Sequence, residues 1–366
     1  MKLQDILRAM IQLRSSDLFL KVGVPPAVRV DGAVRQLGQT AVTTENMKEY
    51  FGILVEEHNR DNFRKHRECD TAFEAEGLGR FRVNAFMQRG NIGFVMRHVQ
   101  STIPGFADLG LPVAVMERLS LLRRGLVLVT GITGSGKSTT LASMIEYMNQ
   151  YTNRHVVTIE DPIEYAYTDQ RCLINQREVG IDTRDFKSAL RNAMREAPDV
   201  ILIGEMRDTE TVQAAIDAAE TGHLVLSTLH TINAQQTMER IINFFPPYQH
   251  QLIRMQLSMV LQGVLSQRLI PRSGKPGRVP ALEVMVATPT IRQLLEEGRT
   301  LELANIIRDS GHFGCLTFNQ SLYQLFERSD ITREDALANA DNPDEMEMMF
   351  RGIQRGSQLS NMPAPT

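Results

Sequence analysis

Residues 126–138 read LVLVTGITGSGKS, and this stretch decides the fold of the chain. Its apolar run predicts a buried strand, and the G-x-x-x-x-G-K-[ST] pattern that follows is typical of a phosphate-binding loop between a strand and a helix. Glycines let successive backbone N–H groups turn inward at the positive end of the helix. Lys137 can reach the outer phosphates of a nucleotide, and the Ser138 hydroxyl can bind Mg²⁺. The candidate nucleotide-binding residues are Gly131, Thr133, Gly134, Ser135, Gly136, Lys137, Ser138 and Thr139.

After this loop, apolar strands alternate with helical segments. Strands are predicted at Gly125–Thr130, Val156–Ile159, Asp199–Ile203 and Leu224–Thr228. Continuous apolar strands between helices indicate a parallel sheet that is buried on both faces, so the fold class is α/β. Further helices and a strand pair near 265–270 and 281–286 follow, and the last dozen residues are predicted to form a frayed tail. Leu294 and Leu295 fit either a core helix or a partner-facing one.

The first hundred residues have a different pattern. Leu3, Ile6, Leu7, Met10 and Ile11 form the apolar stripe of a short helix. Strand-like runs and a second helix near 45–57 complete a small mixed α/β domain. A linker is predicted at 101–112, because this segment holds two prolines and two glycines. The expected domains are therefore 1–100 and 113–366, as suits a chain too long for a single core.

Composition excludes several functional classes. The chain has 40 basic and 43 acidic residues, a net charge of −3, so it has no overall field that would capture nucleic acid. Cys69, Cys172 and Cys315 are an odd number without a C-x-x-C pair, which argues against a disulfide framework or a zinc site and favours a reducing cytoplasm. No run of about 18 apolar residues is present to span a bilayer. We therefore expect any membrane association to require a partner.

Carboxylates follow two of the predicted strands. Glu160 and Glu164 come after the strand at 156–159, and Glu205 comes after the strand at 199–203. Ligands of parallel α/β sheets bind beyond the carboxyl ends of the strands, so these groups should converge on the phosphates. A charge after a buried strand can also mark only the point where the chain reaches water. We assign Glu205 to activation of water and Glu164 or Glu160 to the Mg²⁺ shell, and spacing alone leaves that division open.

Two histidines flank the strand at 224–228. His230 follows the strand and is better placed for the γ-phosphate of a nucleotide, whereas His223 precedes it and could face a neighbouring element or subunit. A histidine at a strand end is more often a structural hydrogen-bonding group. Both are kept as catalytic candidates.

Arginines of the N-terminal domain are a second source of charge. Arg80 and Arg82 share the polar face of one strand, and Arg97 lies on the next strand. Such residues usually solvate a sheet. Phosphoryl transfer, however, needs positive charge on the outer phosphates, which P-loop domains often obtain from another domain or subunit. The three arginines are therefore candidate arginine fingers.

These segments together resemble a known family. GITGSGKST, IEDPIEY, APDVILIGEMRD and AETGHLVLSTLH are similar to the Walker A, Asp box, atypical Walker B and His box of secretion-superfamily ATPases. Within that superfamily the chain resembles the PilT/PilU retraction ATPases, from SSDLFLKVGVPPAVRVDG to TPTIRQLLEEGR. The resemblance implies a PAS-like N-terminal domain, a RecA-like P-loop domain with C-terminal helices, and a homo-hexamer that binds ATP and Mg²⁺ between the domains.

The resemblance also implies a setting and an activity. The ring would lie at the cytoplasmic face of the inner membrane and engage the PilC platform protein, and ATP hydrolysis would drive removal of pilin subunits and twitching motility. Arginines of the N-terminal domain reach the nucleotide in such families, which supports Arg80, Arg82 and Arg97, and the His box supports His223 and His230. Tyr167 stands where the family often has a histidine, so no role is carried over there.

The branch within the family stays open. GEMRD and TIRQLLEE are similar to PilT, whereas REAPDV, REVG, INFFP and ITREDALANADNPDE are similar to PilU, an accessory paralogue. The leading hypothesis is a retraction motor. The alternative is an accessory nucleotide-binding ring that assists a paralogous ATPase with weak turnover of its own. A translocase acting on nucleic acid is disfavoured by the charge and by the lack of an aromatic, basic strip.

Overall fold

The structure is a computed structural model that describes residues 2–30 and 32–352. The predicted frayed tail lies outside these residues. The chain forms two compact units, one reaching to Thr102 and including Ile163–Thr168, the other comprising Ile103–Pro162 and the chain from Asp169 onward. The sequence predicts a single domain over 113–366, so the segment that differs is Ile163–Thr168. Backbone pairing explains the difference, because Gln100 forms a bridge with Tyr165 and accepts a hydrogen bond from the Ala166 N–H.

The first unit contains a six-stranded antiparallel sheet in the order β3-β2-β1-β6-β5-β4. Its strands are β1 (Asp17–Leu20), β2 (Ala27–Val30), β3 (Ala33–Gln36), β4 (Glu68–Ala75), β5 (Gly79–Gln88) and β6 (Asn91–His98). Its helices are α1 (Leu3–Gln12), α2 (Thr44–Leu54) and α3 (Glu57–His66). Side chains of the three helices share one core with alternate residues of the sheet, such as Phe81 and Val83. The other face of β5 carries Arg80 and Arg82, as its alternating burial requires.

The second unit contains a seven-stranded sheet in the order β13-β12-β7-β11-β10-β8-β9. Its strands are β7 (Gly125–Thr130), β8 (His155–Glu160), β9 (Leu173–Glu178), β10 (Val200–Ile203), β11 (Leu224–Leu229), β12 (Leu261–Pro271) and β13 (Arg278–Val286). All neighbouring pairs are parallel except β12 and β13. The predicted parallel α/β fold is therefore confirmed.

Helices cover this sheet. They are α4 (Val113–Ser120), α5 (Lys137–Tyr151), α6 (Phe186–Ala193), α7 (Thr209–Glu220), α8 (Ala234–Asn243), α9 (His250–Val260), α10 (Pro289–Glu297), α11 (Leu303–Asp309), α12 (Phe318–Glu327), α13 (Arg333–Asn339) and α14 (Pro343–Phe350). Every residue of β7 and β11 is buried, which follows from helices on both faces. Within the described residues no helix is both long and apolar enough to cross a bilayer.

Helix α10 and strand β9 lie outside the central strands of this unit. Leu294 and Leu295 of α10 are buried in the core, which confirms the first of the two readings of that helix. Strand β9 was missed by the sequence analysis. It lies at the edge of the sheet and alternates exposed with partly buried residues, so it lacks the continuous apolar run of the central strands.

Candidate active site

The phosphate-binding loop lies between β7 and α5, at the carboxyl end of the sheet. Gly131, Gly134 and Gly136 have φ angles of 144°, 78° and 94°, which L-residues with side chains rarely adopt. A Cβ at Gly131 would lie 2.5 Å from both the Gln267 carbonyl oxygen and Ser135 Oγ. The loop can therefore keep this conformation only with glycine at that position.

Ser135 in the loop and Lys137 at the start of α5 can both bind an anion. Among the described residues, the buried Ser135 Oγ has no hydrogen-bond partner, which is costly unless a ligand supplies one. Lys137 Nζ donates to the carbonyl oxygens of Gly131 and Ile132, at 2.8 and 3.0 Å. Burial lowers the pKa of Lys137, while the negative charge of Glu205 acts in the opposite direction. A phosphate would satisfy Ser135 and compensate the buried charge of Lys137.

A cavity of about 200 Å³ adjoins the loop. Residues 131–135 form one wall, and the opposite side is lined by Ile232, Gln267, Arg268, Leu269, Arg278 and Asn339. Gln267 is itself held in place, because its side chain exchanges hydrogen bonds with Thr140 at 3.1 and 2.9 Å. The cavity combines apolar and cationic side chains next to a phosphate cradle, as a nucleotide requires.

Glu205 and His230 meet at the carboxyl ends of β10 and β11. His230 Nε2 lies 3.3 Å from Glu205 Oε1. Arg207 donates to Glu205 Oε2 at 2.8 Å and also lies 3.7 Å from Asp161. A second cavity of about 270 Å³ is lined by Glu205, Arg207 and His230, together with Thr231 and Arg240. A carboxylate, an imidazole and guanidinium groups in a partly open cavity can orient water beside an anion.

Glu160 lies at the end of β8, next to the same edge of the sheet. It is buried, and its Oε1 accepts hydrogen bonds from Thr158 Oγ1 at 2.6 Å and Gln176 Nε2 at 3.2 Å. The strand ends approach closely, since a Cβ at Gly204 would lie 3.2 Å from the Ile159 carbonyl oxygen. The structure thus brings Glu160 and Glu205 to neighbouring strand ends.

The remaining candidates are four residues of the first unit and His223 of the second. Glu164, Arg80, Arg82 and Arg97 all belong to the first unit. Arg97 is ion-paired with Asp17 at 2.7 Å, and it lies opposite Arg82 in the sheet. In the second unit His223 precedes β11, at the end remote from His230, and its Nδ1 lies 2.9 Å from the Ala218 carbonyl oxygen.

Magnesium is the cation that such a site would need. In the described part of the chain no group of three or more His, Cys, Asp or Glu side chains could hold a metal ion by itself. Mg²⁺ is commonly bound by one or two carboxylates together with substrate phosphates. The exposed Ser138 hydroxyl and a carboxylate such as Glu160, at the end of a strand of the same sheet, fit that mode, with the nucleotide supplying the remaining oxygens.

Sequence reasoning missed several residues of this site. Arg207, two positions after Glu205, escaped attention because an arginine in a loop has no periodic signal. Gln267, Arg268 and Asn339 come from distant parts of the chain and reach the loop only through folding. Glu283 of β13 does not belong to this set, but the sequence shows it as a single acid within the apolar run ALEVMV.

Comparison with known proteins fixes the family. The family model described as "Type II/IV secretion system protein" matches residues 4–327. The chain is 44% identical over 352 residues to the type IV pilus ATPase PilU of Pseudomonas aeruginosa, covering 96% of this chain and 92% of that protein. The chain belongs to the PilT/PilU family of type IV pilus ATPases.

Other PilT/PilU proteins support the same assignment. The retraction ATPase PilT of Pseudomonas aeruginosa is 43% identical over 344 residues, covering 94% of this chain and 99% of that protein. A crystal structure of the pilus retraction motor PilT with bound ADP matches with a TM-score of 0.88 at 44% identity, covering 95% of this chain and 100% of that one. The sequence-based assignment to the PilT/PilU family is confirmed.

Proposed function

We propose that this chain is a motor that hydrolyses ATP to ADP and phosphate and powers retraction of a type IV pilus as a ring of six subunits. The observation that carries the proposal is the pairing of an anion cradle with a carboxylate. Ser135 and Lys137 form the cradle, and the charge of Glu205 acts on Lys137. Phosphoryl transfer requires this combination of positioning and electrostatic stabilisation.

Each residue then has a chemical task. Backbone N–H groups of the loop, Ser135 and Lys137 bind the phosphates, and Glu205 accepts the proton of the attacking water. His230 contacts Glu205 and is near enough to orient it. Mg²⁺, held by Ser138 and by Glu160 or Glu164 partly through water, would neutralise phosphate charge. Thr133 of the loop and Thr139 in the first turn of α5 are the remaining nucleotide-binding residues.

The arginines are proposed to act from the first unit or from a neighbouring subunit. One or more of Arg80, Arg82 and Arg97 would place positive charge on the γ-phosphate. His223, remote from His230, would contact a neighbouring subunit. The PAS-like character of the first unit belongs to the same proposal.

Retraction also requires partners. We infer that the ring works in the cytoplasm, at the inner-membrane face of the pilus machine, and engages a PilC-like platform protein. A paralogous retraction ATPase is a further candidate partner. Nucleic acid is not, because the net charge is −3.

Steady-state ATP hydrolysis by the purified chain tests the enzymatic part. Glu205→Gln should lower kcat by about 10²–10⁴-fold, the usual effect of losing a general base. Glu210→Gln is the matched control, because Glu210 forms an exposed ion pair with Lys187 on the surface. Equal turnover in Glu205→Gln and the unmodified chain would mean that another carboxylate activates water.

A second candidate is an accessory ring of the PilU type. It is favoured by the 44% identity to PilU and by the PilU-like segments REAPDV and ITREDALANADNPDE. Nucleotide binding with negligible turnover in the unmodified chain would support this candidate. Loss of pilus retraction on deletion of the gene, restored by the unmodified chain without its paralogue, would support the main motor instead.

A further inference from the structure

Glu283 is a buried carboxylate for which the proposed mechanism has no role. It lies on β13 and is 5% exposed. Its Oε1 accepts a hydrogen bond of 2.6 Å from the backbone N–H of Ala234, the first residue of α8. Ala234 is fully buried, so without this acceptor its N–H would be unsatisfied. A carboxylate is also favoured at this position by the positive end of the helix.

Glu283 is connected on its other side to the phosphate-binding loop. It is the register partner of Ser266 on β12, which in turn pairs with Thr130 of β7. Thr130 Oγ1 donates to Ser266 Oγ at 3.0 Å, and the Ser266 side chain favours the charged form of its register partner Glu283, which lowers the pKa of that carboxyl against the larger rise caused by burial. Thr130 is the last residue before Gly131. Strand pairing and the bond between Thr130 and Ser266 therefore connect the loop strand to Glu283, and Glu283 binds the start of α8.

The segment before α8 is hydrogen-bonded to the first turn of that helix. Asn233 accepts a hydrogen bond from the Gln236 N–H, and the side chain of Gln236 accepts one from the Ile232 N–H, each at 2.8 Å. Thr231 Oγ1 lies 2.7 Å from Thr237 Oγ1. His230 begins this segment and contacts Glu205. Hydrogen bonds thus tie Thr231 and Ile232, the two residues after His230, to the first turn of α8.

The same segment separates the two cavities of the site. Ile232 lines the cavity beside the phosphate-binding loop. His230 and Thr231 line the cavity that contains Glu205. A shift of α8 would therefore change both the nucleotide cavity and the surroundings of the carboxylate.

We propose that Glu283 is a positioning residue of the ATPase site, which holds the first turn of α8, and through it His230, in register with the phosphate-binding loop. This inference rests on the proposed function, since it concerns the geometry of ATP hydrolysis. It assigns Glu283 no contact with ATP. Its effect should appear in kcat, because misplacement of a catalytic group by about 1 Å can cost up to ~10²-fold in rate.

Two substitutions separate the acceptor from the volume of the side chain. Glu283→Met fills the space but leaves the Ala234 N–H without an acceptor. Glu283→Gln keeps an oxygen for that N–H. We expect kcat to fall at least about tenfold in Glu283→Met with KM within about threefold, and to stay within about threefold in Glu283→Gln. Hydrogen exchange of residues 230–238 should accelerate in the methionine variant alone.

Asn149→Leu is the matched control for lost stability. Asn149 is buried near the carboxyl end of α5, and its Oδ1 accepts from the Gln170 N–H at 3.0 Å. This variant should lower Tm but leave kcat per folded subunit unchanged. If Glu283→Met does not fold, Glu283→Asp replaces it, because the shorter carboxylate cannot reach Ala234 without movement of the backbone. The same selective loss of kcat is expected.

The outcomes are distinguishable. A kcat within twofold of the unmodified chain in Glu283→Met, or in Glu283→Asp where that replaces it, would overturn the proposal, as would equal losses in Glu283→Met and Glu283→Gln. Glu205→Gln is measured in parallel. If its turnover equals that of the unmodified chain, the assigned chemistry fails; if it collapses while Glu283→Met stays active, only the role of Glu283 fails.

Discussion

Charged residues are distributed differently in the two sheets of this protein. In the first unit, Arg82, Arg97, Asp17 and Arg29 form a row of register partners across the open face of an antiparallel sheet. In the second unit, the central strands are buried throughout, and charges such as Glu160 and Glu205 stand at the carboxyl ends. An open face tolerates charge at every second residue, whereas a sheet covered on both sides concentrates it at its edge.

Within the charged row of the first unit, ion pairing distinguishes three residues from Arg82. Asp17 forms ion pairs with Arg97 at 2.7 Å and with Arg29 at 3.3 Å. The charges of these three residues therefore have partners within the row. Arg82 lies directly opposite Arg97, and no ion pair involves it within the part of the chain that the structure describes. Like charges in opposite register are destabilising. Arg82 is therefore the member of the row that structure alone explains least.

The largest expected effect is on kcat, and it concerns Arg82. If Arg82 supplies charge to a nucleotide, Arg82→Ala should lower kcat by about 10³-fold, as loss of an arginine finger does. It should leave Tm unchanged or slightly raised, because the repulsion with Arg97 is removed. Steady-state kinetics and thermal unfolding measure the two effects. An unaltered kcat would mean that Arg82 only solvates the sheet; Arg35→Ala, on the fully exposed strand β3, is the control.

The next largest expected effect is on nucleotide affinity, and it concerns Lys137 at the carboxyl end of the parallel sheet. Lys137→Gln should weaken nucleotide binding at least about 30-fold, since truncating one partner of a buried charged pair costs ~2–5 kcal/mol. Because burial lowers the pKa of Lys137, its charge is costly without a ligand, so the nucleotide-free variant should unfold no more easily than the unmodified chain. Calorimetric titration with ADP and thermal unfolding would measure both. Unchanged affinity for ADP would contradict the assignment.

A smaller effect concerns Glu283. Burial raises its pKa from the ordinary 4.5 to about 7, against the hydrogen bond from Ala234, and the charge of Asp341 adds to the rise while that of Arg268 opposes it. The folded state then binds the proton more tightly than the unfolded chain. Stability should therefore be highest below the ordinary pKa and fall as the pH rises through about 7.

Glu283→Gln removes this titration. We expect the variant to be more stable than the unmodified chain by about 1–3 kcal/mol near pH ~8, with the gain shrinking toward pH ~5. Urea unfolding at a series of pH values would measure it. A gain independent of pH would show that the carboxylate is not the cause.

The smallest effect lies on the open face. Burial alone would raise the pKa of Asp17, but hydrogen bonds from Arg97 and Ser16 and the charges of Arg97 and Arg29 lower it below 3.8. Its contribution is present above that value and is lost as the pH falls through the lowered pKa. Asp17→Asn should cost about 1 kcal/mol at neutral pH, because its partners are largely exposed. A loss of about 3 kcal/mol or more in urea unfolding would contradict the assignment of Asp17 to a largely exposed ion-pair row.

The sequence by itself determined the local and periodic features of this protein. The phosphate-binding loop, the central parallel strands and the position of Glu160 and Glu205 after two of them follow from short patterns, because backbone periodicity and burial act over a few residues. The family resemblance rested on the same segments and was confirmed. The strands of the first unit were also predictable, since turn residues such as Gly23 and Pro25 separate short strand-like runs.

Only the tertiary structure decided which distant residues meet. The edge strand β9, the membership of residues 163–168 in the first unit, and the contact of His230 with Glu205 have no local signal. Glu283 was visible as a lone acid, but its bond to Ala234 joins residues 49 positions apart. Such pairs form because packing of the whole sheet brings strand ends together, and a buried polar group must find its partner wherever the fold places one.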